Sequence, residues 1–159
     1  LGTGEFLDGA SARSKNNRIN IGTQITQILG IVTEKEEVDE ILKAFYEVYN
    51  TLGYGFLERV YQNALYFELI NRGFTCEAQK KIEVCYKGRV VGEYYADIVV
   101  DQNIILELKA AESLCPEHEY QLINYLRATD IEVGYVLNFG KHAMFKRKIF
   151  TNEQKKRST

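Results

Sequence analysis

Within "EYYADIVVDQNIILELKA", residues 93–110, two acids and a base, Asp97, Glu107 and Lys109, interrupt the most β-prone stretch of the chain. "VDQNI" reads as a hairpin with a three-residue loop, Asp101–Asn103, in which Asn103 tolerates a left-handed backbone at the last loop position. Val100 then faces Ile104, Val99 faces Ile105, and Asp97 faces Glu107. Side chains alternate across a strand, so Asp97, Glu107 and Lys109 share one face while Ile104, Leu106 and Leu108 fill the other. Two carboxylates about 5 Å apart repel by roughly 3 kcal/mol at an effective dielectric near 20. A cation belongs between them: Lys109 supplies one charge, and a divalent ion would supply two. The alternative is a solvated surface charge cluster, against which the apolar runs Ile98–Val100 and Ile104–Leu106 argue.

The elements that must position these residues follow from periodicity. "TEKE" after Thr33 is a helix cap followed by acids in the first turn. Val38, Ile41, Leu42, Phe45 and Val48 continue at helical spacing. "TLGYG" breaks the helix. A second helix is expected from about Phe56 to Arg72, stopping at Gly73. From Lys81 the period becomes two, and a long strand follows from about Arg89 to Val100. Ile104–Ala110 is the third strand. Pro116 opens another helix, up to about Thr129; "VGYVLNF" is a fourth strand and "AMFKRKIF" a fifth. The order predicts an α/β fold with a mixed four- to five-stranded sheet flanked by helices.

Residues 1–34, rich in Gly, Ser, Asn and Thr, are expected to be a flexible, partly vector-derived arm with a short ordered piece near Ile25–Val32. The chain opens on Leu1 rather than Met, as a fragment or processed chain would. Residues 35–150 form the folded domain, and 151–159 read as a disordered tail. A net charge of −2 excludes a strongly basic field over the whole molecule and leaves a local basic rim as the means of meeting nucleic acid. Cys76, Cys85 and Cys115 form no CxxC pair and are odd in number, which favours a reducing cytoplasm over a disulfide framework. No membrane span is expected, because the apolar stretch Ile28–Val32 is far too short.

Taken together, Asp97 and the Glu107-Leu108-Lys109 run resemble the PD-(D/E)XK nuclease superfamily. "GFLERVY" supplies Gly55, Glu58 and Tyr61 at the spacing of the GxxExxY protein family, and "HEYQLINYL" and "NFG" follow in that family's order. The resemblance covers residues 36–150. Ala96 stands where the superfamily pattern has Pro, a structural position. The resemblance implies a restriction-endonuclease-like core, Mg²⁺ or Mn²⁺ as cofactor, and hydrolysis of phosphodiester bonds in nucleic acid, DNA ahead of RNA. A module that keeps the fold without turnover is the alternative. Many superfamily members cut duplexes as dimers, so a homodimer is one implied arrangement.

On that pattern Asp97 and Glu107 are the expected metal ligands, with the backbone carbonyl of Leu108 as a third, since hard cations take oxygen ligands. Lys109 would orient or deprotonate the attacking water, or stabilise developing negative charge. Glu58 shares a helical stripe with Tyr61, Leu65 and Leu69. Alone it reads as an acid drawn to a helix N-terminus; with the family pattern it reads as a third metal-site carboxylate. Tyr61 would hold Glu58 or contact phosphate. His118, Gln121 and Tyr125 fall on one arc of the third helix, beside the core-facing arc of Leu122, Ile123 and Leu126. Gln121 and Tyr125 resemble the Q-x-x-x-Y element of exonuclease-like members, where the glutamine borders the site. His118 is a candidate to bind phosphate or orient water, or else an exposed first-turn residue. "KHAMFKRK", residues 141–148, reads as an edge strand with solvated lysines that could also track a nucleic-acid backbone.

Overall fold

The structure, a computed structural model, describes residues 33–157. Helix α1 spans Glu34–Leu52. Its start is the expected cap: Thr33 Oγ1 accepts from the Glu36 backbone N–H, and Glu36 Oε2 accepts from the Thr33 N–H. The rest of the expected N-terminal arm, with the ordered piece near Ile25–Val32, lies outside the described residues. From Glu37 onward the described chain forms one compact unit. Ile41, Ala44, Phe45 and Val48 give α1 its buried stripe. Gly53, at a φ of +70°, ends the helix in a conformation that favours glycine. Helix α2 spans Glu58–Asn71 and buries Tyr61, Gln62, Leu65 and Leu69.

A five-stranded sheet follows in the spatial order β1-β2-β3-β4-β5, with β1 at Cys76–Tyr86, β2 at Arg89–Val100, β3 at Ile104–Lys109, β4 at Val133–Phe139 and β5 at Ala143–Ile149. Only β3 and β4 pair in parallel, across the crossover helix α3, Pro116–Arg127; the other neighbours are antiparallel. The mixed sheet flanked by helices is the expected architecture. Ile98, Val100, Ile104, Leu106 and Leu108 pack with the buried stripes of α1 and α2. Val99, Ile105 and Val136 pack with Leu122, Tyr125 and Leu126 of α3. Strand β3 is therefore covered on both faces, which is why its sequence is almost continuously apolar.

Two boundaries differ from expectation. Strand β1 begins at Cys76 rather than Lys81, because Cys76, Glu77 and Ala78 already pair with Val100, Val99 and Ile98. Lys80, where the alternation of Cys76, Ala78, Ile82 and Val84 would call for an apolar residue, hides the first part of this edge strand. The end of the chain is not a disordered tail as far as it is described: Asn152–Arg157 form a short helix, α4. Lys155 Nζ there donates to the carbonyls of Thr129 and Ile131 in the loop between α3 and β4.

Candidate active site

The β2–β3 hairpin turns where expected but by a different backbone. Asp101 and Gln102, not Asn103, are left-handed, at φ of 46° and 58°, and the Asn103 N–H donates to the Val100 carbonyl at 2.9 Å. That is the twist-compatible way to close a hairpin. The register is the expected one: Val100 faces Ile104, Val99 faces Ile105 and Ile98 faces Leu106. One step further the backbone ladder stops. Asp97 Oδ2 accepts the Leu108 backbone N–H at 2.8 Å, so a side chain takes over where the strands part.

Glu107, one residue beyond the last paired step of β3 with β2, is only 3% exposed. Its Oε1 lies 3.4 Å from Lys109 Nζ, whereas its Oε2 is buried with no hydrogen-bond partner. Burial, then the charge of Asp97, pushes the Glu107 carboxyl up to about 8; Lys109 offsets this only in part. Asp97 is raised too, mainly by burial, against the Leu108 N–H, Lys109 and Gln79, which favour its charged form. Two acids thus share one nearby ammonium, the deficit expected from the sequence.

Lys109 is held from α3. Its Nζ donates to Gln121 Oε1 at 2.9 Å, and Gln121 Nε2 donates to the Tyr125 hydroxyl at 2.8 Å. Gln121 therefore lies beside Lys109. Tyr125, 4% exposed, supports Gln121 from within the core rather than presenting a substrate contact. His118, half-buried, accepts the Cys115 backbone N–H on its Nδ1 at the start of α3. That ring nitrogen serves the helix cap.

Glu58, exposed in the first turn of α2, is near enough that its charge raises the Asp97 carboxyl. Tyr61 is fully buried, so the expected phosphate contact is ruled out for lack of access. Its hydroxyl donates to the Gly53 carbonyl at 2.7 Å and accepts the Phe56 N–H at 3.2 Å, while its ring stacks on Phe139 at 4.5 Å. Tyr61 thereby locks the turn that delivers Glu58. Gly55, at a φ of +111°, supplies the conformation that turn needs.

The "NFG" block has a matching role on the other side. Asn138 is the register partner of Lys109 and is fully buried; its side chain exchanges two hydrogen bonds, both 2.9 Å, with the backbone of Ala111. A Cβ on Gly140 would meet the Ala111 carbonyl oxygen at 1.9 Å, so only glycine permits this approach. These contacts fix the chain just beyond Lys109.

Two site residues escape the sequence reading. Gln79 Nε2 donates to Asp97 Oδ1 at 3.2 Å and to Gln62 Oε1 at 2.8 Å. Gln62 had a signal, a polar residue four places after Glu58 beside an apolar stripe. Gln79 had none, because its role depends on a left-handed backbone inside a strand. The lysines of the 141–148 segment are partly engaged: Lys146 and Lys148 both pair with Glu119 on α3. Among the described residues, no group of three or more His, Cys, Asp or Glu is placed to hold a metal by itself. No helix among them is long and apolar enough to cross a membrane.

The crystal structure of SSO0001 superposes with a TM-score of 0.46 at 19% identity, over 58% of this chain and 50% of that one, so the chain spans about half that protein's length. No curated protein matches. The family model of the PD-(D/E)XK nuclease superfamily matches residues 35–149, the whole of the sheet with α1, α2 and α3, and the chain belongs to that superfamily.

Proposed function

We propose that the chain is a Mg²⁺- or Mn²⁺-dependent nuclease of the GxxExxY branch that hydrolyses phosphodiester bonds, in DNA ahead of RNA. The observation that carries this reading is the buried, unpartnered Glu107 Oε2 beside a second carboxylate. A buried carboxylate oxygen without a donor is costly, and a hard divalent cation is the ligand that such a pair of oxygens suits. The residues present fit the ion that the superfamily implies. Asp97 and Glu107 would hold it, with the Leu108 carbonyl as a backbone donor and Glu58 as a further carboxylate, direct or through water. When bound, such an ion would neutralise phosphate charge and lower the pKa of its water, easing deprotonation of the nucleophile.

The chain's own residues do the rest. Lys109 Nζ, fixed by Gln121, donates to the attacking water or to a phosphate oxygen, so that charge developing in the transition state meets an ammonium already in place. Asp97 is oriented by the Leu108 N–H and Gln79, which spares the cost of reorganising it during reaction. Gln121 and Tyr125 act on the reaction through Lys109, and Tyr61 through the turn before Glu58. The unpaired Cys76, Cys85 and Cys115 accord with a reducing cytoplasm.

Labelled single- and double-stranded DNA and RNA, incubated with folded protein in Mg²⁺, Mn²⁺ or EDTA, test the proposal. Cleavage in either metal, absent in EDTA, is expected. Lys109→Ala and Asp97→Asn should lower it by roughly 10²–10⁴-fold with the circular dichroism spectrum unchanged. Nucleic-acid binding that ignores EDTA, with no cleavage in any metal, would instead favour a silent module of the same fold.

A further inference from the structure

Gln79 stands inside β1 at a φ of 52°, a region that glycine and asparagine adopt far more readily than glutamine. It lies opposite Asp97, between the paired steps Ala78↔Ile98 and Lys80↔Ala96, and the two residues do not themselves pair through the backbone ladder. The unusual backbone is matched by the unusual use of the side chain. One amide nitrogen, Nε2, reaches Asp97 Oδ1 on β2 and Gln62 Oε1 on α2. The other Asp97 oxygen is already taken by the Leu108 N–H. A local outlier at a site, maintained by specific contacts, points from strain to function.

The consequence is visible in the core. Strict alternation would put Ala96 on the same side as Ile98. Instead Ala96 packs with Ile82 and the α3 residues, while Ile98 packs with α1 and α2. Strand β2 therefore changes its facing at Asp97, opposite Gln79. Gln79 is thus the donor that β1 offers to Asp97 Oδ1 at this irregular point of the sheet.

We infer that Gln79 is a positioning residue: it fixes the Asp97 carboxylate and ties it, through Gln62, to the helix that carries Glu58. The inference rests on the nuclease reading for its catalytic meaning, but the clamp itself is a contact of the metal-free protein. Gln62 and Glu58 are one helical turn apart, so the link joins the two arms of the site, the helix and the hairpin. The glutamine amide reaches two acceptors from one backbone position. Glycine would relax the backbone and lose both bonds.

The test exploits that opposition. Gln79→Gly should melt at or above the temperature of the native protein in EDTA, because the left-handed backbone suits glycine. The same variant should bind Mn²⁺ in calorimetry, and cleave, roughly 10–100-fold less well, the usual loss when the partner of a metal ligand is removed. Its kcat should fall with KM for the nucleic acid unchanged. Gln79→Asn, which keeps an amide and tolerates the same backbone, should recover part of the loss. Native-like Mn²⁺ affinity and kcat in Gln79→Gly would overturn the inference, as would an Asn variant no better than the Gly variant. A native protein that neither binds Mn²⁺ nor cleaves overturns the functional reading instead. The clamp is then judged by the metal-free crystal structure of Gln79→Gly, where an Asp97 carboxylate in its native place would sink it.

Discussion

Glu107 carries one carboxylate oxygen facing Lys109 and another, buried, with no hydrogen-bond partner. Holding a negative charge there without a second cation is what burial resists, and the carboxyl rises to about 8 as a result. Glu107→Gln keeps the shape and removes the charge. In EDTA at pH 8 this variant should be more stable than the native protein, by up to about 4 kcal/mol at about 1.4 kcal/mol per pH unit of displacement. It should also lose Mn²⁺ binding and cleavage. Chemical denaturation checks the first outcome and calorimetry the second. A variant less stable than native at that pH would mean that Glu107 is already satisfied by the fold.

The two elements that frame the site are each held by one buried polar residue. Asn138 clasps Ala111 beyond the end of β3, and Tyr61 clasps the turn between α1 and α2. The stack of Tyr61 on Phe139 joins the two supports. Tyr61→Phe preserves that stack and deletes only the hydroxyl. The variant should lose about 1–2 kcal/mol, the net worth of the lost hydrogen bonds. The turn at residues 53–57 should exchange its amide hydrogens faster, and cleavage should fall because Glu58 is less well placed. Hydrogen exchange unchanged at the turn, with cleavage intact, would show that α2 is held by packing alone.

For the whole molecule, the raised acids set a pH dependence with a definite sign. Below about pH 4.5 Glu107 is protonated in both the folded and the unfolded chain and contributes no slope. Between 4.5 and about 8 the unfolded chain releases the proton while the folded chain keeps it, so stability falls as pH rises. Asp97, displaced in the same direction, adds to the fall. The exposed acids lowered by hydrogen bonds, such as Glu36 and Glu117, act below their ordinary range and so outside this window. The melting temperature in EDTA should therefore drop from pH 5 to pH 8, and Mn²⁺ should restore it far more at pH 8 than at pH 5, where protons compete for the same oxygens. Scanning calorimetry at both pH values, with and without the metal, decides this; a flat profile would contradict the buried-acid geometry.

Patterns that depend on local periodicity were legible in the chain itself. Unlike the glutamine beside Lys109, which came from the resemblance to a known family, the helices α1, α2 and α3 and the hairpin register from Val100 and Ile104 to Ile98 and Leu106 follow from apolar spacing and the period of two in a strand. The roles of Tyr61, His118 and Tyr125 did not, because a polar group on an apolar stripe can point to a ligand or to a backbone partner, and only neighbouring elements decide which. Gln79 was invisible for a stronger reason: its left-handed backbone and its two acceptors come from β2 and α2, segments distant in sequence. The order of residues determined which acids meet; the packing of helix and sheet around them determined that one of those acids is left buried with an oxygen unsatisfied, since burial is a property of the assembled layers and of no single strand.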